Sequence, residues 1–208
     1  MKKVDKLVNG IKLNKKLFLF LVTLGIVGII VGSIFAVGLK VDDKMLIKEY
    51  LDNYLNNIND NKLNYLEALK NISISNYLFI ILIWILGISL IGIPIIIFMY
   101  FMKCFMLGFS ISAILINYNF KGLLFALLYI FPHLIINILI YIILILYALT
   151  LSLKILEAVI KKKNINFKYI MNKYLVIILF SFLVITLTNL FEVYLTPILI
   201  KLIIPIIT

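Results

Sequence analysis

Trp84-Ile-Leu-Gly-Ile-Ser-Leu-Ile-Gly-Ile-Pro94 runs on through eight further apolar residues into Lys103-Cys-Phe-Met-Leu-Gly108-Phe109. Glycine recurs at 87, 92 and 108, proline stands at 94, and a lone lysine stands at 103. A helix in water gains nothing from so many helix weakeners. In a bilayer, glycine and proline are tolerated within helices because neighbouring helices re-satisfy the freed backbone groups. Small residues also let two helices approach closely. The stretch therefore reads as a packed, kinked transmembrane helix that turns back at Lys103. Its kink is expected at Gly92-Ile93-Pro94, where proline removes a helix hydrogen bond and crowds the carbonyl four residues back. Gly87, Gly92 and Gly108 are candidates for close helix packing.

The rest of the composition agrees with that environment. Of 208 residues, 64% are hydrophobic and only 14% charged, and several apolar runs are long enough to cross a bilayer. All twenty basic residues are lysine, with no arginine and no glutamine. An AT-rich bacterial genome accounts for that bias. Without arginine a nucleic-acid partner is not expected, and the net charge of +11 is better explained by lysines at cytoplasmic membrane faces. A single cysteine, Cys104, and a single histidine, His133, leave no internal disulfide and no Cys- or His-based metal cluster. No cofactor and no small-molecule substrate are expected.

In chain order, residues 1–16 carry six lysines against Asp5, and 17–37 follow as the first membrane segment. The apolar run is longer than a signal-peptide core and lacks its small-residue cleavage pattern. Residues 38–76 form an external loop of near-neutral charge. Within it Leu46, Tyr50, Leu51 and Tyr54 fall at helical spacing, a candidate partner face. Asp42 or Asp43 is expected to cap that helix, and Asn59-Asp-Asn61 to end it. A second short helix is expected near 63–70. The second span is placed at 77–102. A third segment at 105–118 is either a short span or re-entrant. Residues 123–151 are too long for one straight span, and Pro132 is expected to bend them into a short helix and a full one from His133. A basic cytoplasmic loop follows at 152–173, then a last membrane segment at 174–196 and an apolar tail. The expected fold is all-α, a single polytopic domain of about five transmembrane helices with a kinked second helix, N-terminus inside and C-terminus outside.

Ionisable or strongly polar side chains inside spans are costly and mark candidate sites. Here they are Lys103, His133, Asn137 and Glu192. Lys103 at a turn would snorkel to the interface. His133 and Asn137 are four apart on one helix face, able to bond a neighbouring helix or to line a polar path. Glu192 can serve structure or proton transfer. No nucleophile–base pair, carboxylate pair or phosphate-binding loop is visible, and no enzymatic activity is expected.

With these residues in view, the chain resembles stage II sporulation protein M of endospore-forming bacteria over essentially its full length. The resemblance rests on Trp84-Ile-Leu-Gly-Ile-Ser89, Gly92-Ile-Pro94, Lys103, Gly108-Phe109 and the Glu192-x-x-x-x-Pro197 ending. The wider family often shows Pro-His-Gly followed by Glu. Here Pro132-His133-Leu134 and Asn137 stand instead, which speaks against charge-dependent transport at that place. The resemblance implies a non-enzymatic membrane scaffold for septal peptidoglycan remodelling and engulfment of the forespore. It would sit in the mother-cell membrane at the septum, in complex with stage II sporulation proteins D and P, the cell-wall hydrolases. The alternative is a small channel or transporter subunit built on the bent helices.

Overall fold

The computed structural model describes residues 15–130, 133–161 and 167–207. Among them every regular element is helical: α1 Lys15–Val37, α2 Val41–Asn59, α3 Tyr65–Gly87, α4 Gly92–Tyr118, α5 Lys121–Ile130, α6 His133–Lys161, α7 Phe167–Leu190, a π turn Phe191–Leu195 and α8 Thr196–Ile207. Five helical segments are long and apolar enough to cross a membrane: α1, α3, α4, α6, and α7 with its continuation. The shortest, at 23 residues, extend about 34 Å, enough for a hydrocarbon core of about 30 Å.

The chain reversal falls at residues 88–91, between Gly87 and Gly92, and not at Lys103. Gly92 admits the backbone there, since a Cβ would collide with the Leu86 carbonyl. Pro94 then occupies the third position of α4. First-turn N–H groups have no intrahelical acceptor, so proline's missing donor costs nothing and no mid-helix kink is needed. The expected spans 77–102 and 105–118 are corrected accordingly. α3 starts at Tyr65, twelve residues earlier than expected, and α4 runs unbroken for 27 residues. The short helix expected near 63–70 is simply the first turns of α3, because neither glycine nor proline interrupts the chain before Gly87. Asn64 caps it, its side chain accepting from the Glu67 N–H at 3.2 Å and donating to the Glu67 carboxylate at 3.1 Å, a reciprocal cap.

α2 is capped less tightly than expected. Lys40 precedes it without a side-chain bond, and Asp42 and Asp43 lie in the first turn, where they complement the helix dipole. It ends at Asn59 as expected, with Asn61 at φ 55° reversing the chain. Within 123–151 helix is described up to Ile130 (α5) and again from His133 (α6); the bend expected at Pro132 lies outside the described residues. The expected basic loop 152–173 is largely helical, since α6 continues to Lys161 and α7 begins at Phe167. Lys162 and Lys163 also lie outside the described residues.

α1 and α4 are the most closely packed pair, and they run parallel. Ser33 Oγ donates to the Gly108 carbonyl at 3.2 Å, an offset of 75 residues, and that offset carries Lys15 and Lys16 to the level of the 88–91 turn. Gly25, Gly28 and Gly32 of α1 lie against α4, while Gly108 lies against the Ile29 backbone. At that same end Ser152 of α6 donates to the Gly87 carbonyl at 2.7 Å, and Tyr174 of α7 donates to the Ile83 carbonyl at 3.0 Å. The main core, with Ile80, Ile83, Leu144, Ile145 and Ile185, fills the space between α3, α4, α6 and α7. A second cluster, Leu55, Ile58, Ile114, Phe125, Ile200 and Ile204, gathers α2, α5 and α8 over the opposite end.

Candidate functional site

Depth along the helices locates the polar residues. Asn76 stands eleven residues before Gly87, and Lys103 eleven after Gly92. Each is therefore about 16 Å from the 88–91 turn, near the middle of a hydrocarbon core about 30 Å thick. Lys103 is thus not the interfacial turn residue expected from sequence. It faces inward, its Nζ 5.1 Å from the Phe79 ring centroid and 5.8 Å from that of Tyr141, within cation–π range.

Around this level a hydrogen-bond chain ties three helices together. Asn76 Nδ2 donates to Asn189 Oδ1 at 2.7 Å, and the Tyr141 hydroxyl donates to Asn76 Oδ1 at 3.0 Å. Asn189 Nδ2 donates to Ser73 Oγ at 3.3 Å. Asn137, one turn before Tyr141, accepts from the Thr188 hydroxyl. Lipid offers these groups no partner, so interhelical bonds between them fix the rotation of each helix about its axis.

Glu192 reaches the same region because α7 widens by one residue. The Thr196 N–H bonds to the Phe191 carbonyl, five residues back, and Pro197 has no N–H to continue the regular ladder. Such π turns re-aim side chains and are frequent at functional sites. Within it Glu192 Oε1 lies 3.8 Å from His133 Nε2. His133 opens α6 and is wholly buried, and neither of its ring nitrogens has a hydrogen-bond partner. Lys121 is exposed at the start of α5.

Lys103, Asn137 and Glu192 line one cavity of about 410 Å³ with Asn76 and Tyr141, and His133 lies beside Glu192. The four polar candidates are thus brought together, although they are scattered over ninety residues of sequence. Gly87 packs against Tyr174 and Ala148, Gly92 against Leu86 and Gly108 against α1, so these glycines serve close packing. Pro94 is exposed at the start of α4. Asn76, Thr188, Asn189 and Tyr141 escaped the sequence reading. Their signal was present as amides and hydroxyls inside apolar runs, as was the small-residue series 25, 28, 32 and 36 on α1. Among the described residues, no cluster of acidic, histidine or cysteine side chains is able to hold a metal ion.

The candidate partner face divides. Leu46 and Tyr50 are 65% and 75% exposed, whereas Leu51 and Tyr54 are half-buried against the Leu55–Ile58 side of α2. All four border a second cavity of about 370 Å³ between α2, α4 and α5. The Tyr118 hydroxyl donates to Asp52 Oδ1 at 2.6 Å, and Tyr54 meets the Tyr129 ring edge-on at 6.3 Å. These contacts hold α2 against the membrane helices.

Membrane-crossing helices, a polar knot at mid-depth and a helical layer over one end define a multi-pass integral membrane protein. The sequence model of one family, stage II sporulation protein M, matches residues 17–197, which takes in part or all of every candidate span, and the chain belongs to that family. It is a sporulation-related membrane protein. No curated protein and no solved structure matches it.

Proposed function

We propose that the protein is a non-enzymatic scaffold in the mother-cell membrane at the sporulation septum. It positions the cell-wall hydrolases, stage II sporulation proteins D and P, so that peptidoglycan is remodelled as the forespore is engulfed. The observation that carries this reading is the exposed pair Leu46 and Tyr50 on α2, beside an apolar cavity and held on a rigid mount. A tyrosine and a leucine projecting one turn apart next to a recess have the make-up of an interface anchor, and a helix already fixed in place loses little entropy on binding. The lysine-rich ends of α1 and α7 lie at the opposite end of the bundle. With lysines inside, α2 faces the cell wall. The cavity at Lys103 and Glu192 favours a second reading, a small channel or transporter subunit, which does not use α2.

The test is site-specific photocrosslinking in sporulating cells. A probe replacing Leu46 or Tyr50 is expected to capture the D or P protein, and a probe at the bilayer-facing Ile26 to capture neither. Failure of both α2 probes in cells that complete engulfment refutes α2 as the docking face.

A further inference from the structure

The Lys103–Glu192 cavity carries a charge arrangement that the scaffold reading leaves unused. Both side chains line it, yet they are too far apart for a direct ion pair. Among the described residues Lys103 makes no ion pair or hydrogen bond, only its contacts with two aromatic rings. Among the same residues Glu192 has only His133, at 3.8 Å, and neither nitrogen of that wholly buried imidazole has a hydrogen-bond partner. The remaining polar wall, from Asn71, Ser75, Asn76, Ser110 and Asn137 to the Tyr129 and Tyr141 hydroxyls, is neutral. The cavity therefore has no net charge but two separated, unanswered poles in a low-dielectric setting, where unpaired charge is costly.

A simple anion would answer Lys103 and leave Glu192 bare, and a simple cation would do the reverse. A zwitterion answers both. We propose that the cavity binds a zwitterion carrying one anionic group and a primary ammonium. The anion rests at Lys103, and the ammonium donates its N–H groups to Glu192. A quaternary ammonium has no N–H to give a carboxylate that lacks donors. The volume of about 410 Å³ lies in the range of small-molecule sites.

Access is from the end of the bundle away from the 88–91 turn. The cavity runs from Lys103, about 16 Å from the 88–91 turn, to Asn71 and Ser110, about 24–27 Å from it. Asn71, Ser75 and Met106 are exposed along it, so the mouth opens between α3 and α4 in the membrane-facing surface. Two sources supply such a zwitterion there: the ethanolamine headgroup of a phospholipid, and a water-soluble amino acid. The proposal does not depend on the scaffold reading.

The test uses the full-length protein purified in non-ionic detergent, with affinities from ligand-dependent thermal shifts. The probes are glycerophosphoethanolamine, glycerophosphocholine, glycine and inorganic phosphate. Either glycerophosphoethanolamine or glycine is expected to bind at least about tenfold more tightly than glycerophosphocholine and phosphate. The first preference identifies a lipid headgroup, the second a free amino acid. Lys103→Met and Glu192→Gln are each expected to weaken that binding about tenfold or more. Equal affinity for all four probes, phosphate binding as tightly as the zwitterions, or no measurable binding of any probe overturns the proposal. So does wild-type affinity in both variants. Selectivity in the wild-type protein decides the matter even where a variant fails to fold.

Discussion

The seam between α1 and α4 yields a graded prediction that uses the protein's own single cysteine. Cys104 is 1% exposed and sits in that seam beside Gly25 and Gly28. A methyl group at Gly32 would meet the Phe105 carbonyl carbon at 2.9 Å and the Phe109 nitrogen at 3.0 Å, and would come closer still to the Phe105 oxygen. Ordinary carbon contacts lie near 3.5–4.0 Å, so the two backbones must part by about 1 Å, and neither can swing aside. Overpacking of this kind typically costs about 1–3 kcal/mol, offset by up to about 1 kcal/mol because alanine is the better helix former. A net loss of about 1–2 kcal/mol raises the open population roughly 5–30-fold, and maleimide labelling of Cys104 in detergent should accelerate by that factor in Gly32→Ala. Gly28→Ala should follow closely, since its neighbours are Cys104 Cβ at 2.9 Å and the Phe101 carbonyl at 3.1 Å. In Gly25→Ala the obstacle is the Tyr100 hydroxyl at 2.6 Å, the tip of a movable side chain, and labelling should rise less. Gly38→Ala meets only ordinary contacts at 3.5 Å and beyond and should match wild type. Labelling of Gly32→Ala no faster than Gly38→Ala refutes the close-packed seam, and so does Gly25→Ala exceeding Gly32→Ala.

Two further substitutions test the polar knot and the chain reversal, both by thermal unfolding in detergent. Asn76→Leu removes two interhelical bonds, each worth about 0.6 kcal/mol on average and at most about 1.7. It also strands Asn189 and Tyr141, so a loss of about 1–3 kcal/mol is expected, and Asn76→Leu/Asn189→Leu should recover part of it; an unchanged melting temperature contradicts the network. Pro94→Ala should be neutral within about 0.5 kcal/mol, whereas Ile97→Pro, one turn further into α4, should lose about 3 kcal/mol or more. A large effect of Pro94→Ala would restore the kinked-helix reading.

The number of spans and the lysine-rich ends were legible because hydropathy and charge are summed over many residues, so a misplaced boundary hardly affects them. The position of the second reversal was not. Between 84 and 109 hydropathy offers a single contrast, Lys103, and the sequence reading placed the turn there. The decisive feature was instead the pair Gly87 and Gly92 with Pro94 two residues on. A proline soon after a glycine fits a kink and a helix start equally well, and only packing against α1 and α6 separates them. The convergence of His133 and Glu192 was not legible either, since it depends on how α6 and α7 rotate against each other. The bond between Asn137 and Thr188, 51 residues apart, sets that rotation, and nothing local to either announces the other.

The position of the second reversal decides what Lys103 is. With the turn at 103, its ammonium would sit at the membrane surface among headgroups, a snorkelling anchor that asks nothing of its neighbours. With Pro94 in the first turn of α4 the helix begins at Gly92, and Lys103 is carried about 16 Å deep, too far in for its stem to reach the surface. A lysine at that depth requires polar company. Rings from Phe79 and Tyr141 supply part of it, and Glu192, which a regular helix would not have aimed the same way, lines the same cavity without pairing with it. Dropping one residue from the π turn rotates everything beyond it by about 100° about the helix axis, turning α8 away from α2 and α5 for as long as Glu192 keeps its place in the cavity. The Glu192-to-Pro197 spacing thus couples the mid-membrane cavity to the helical layer that carries Leu46 and Tyr50.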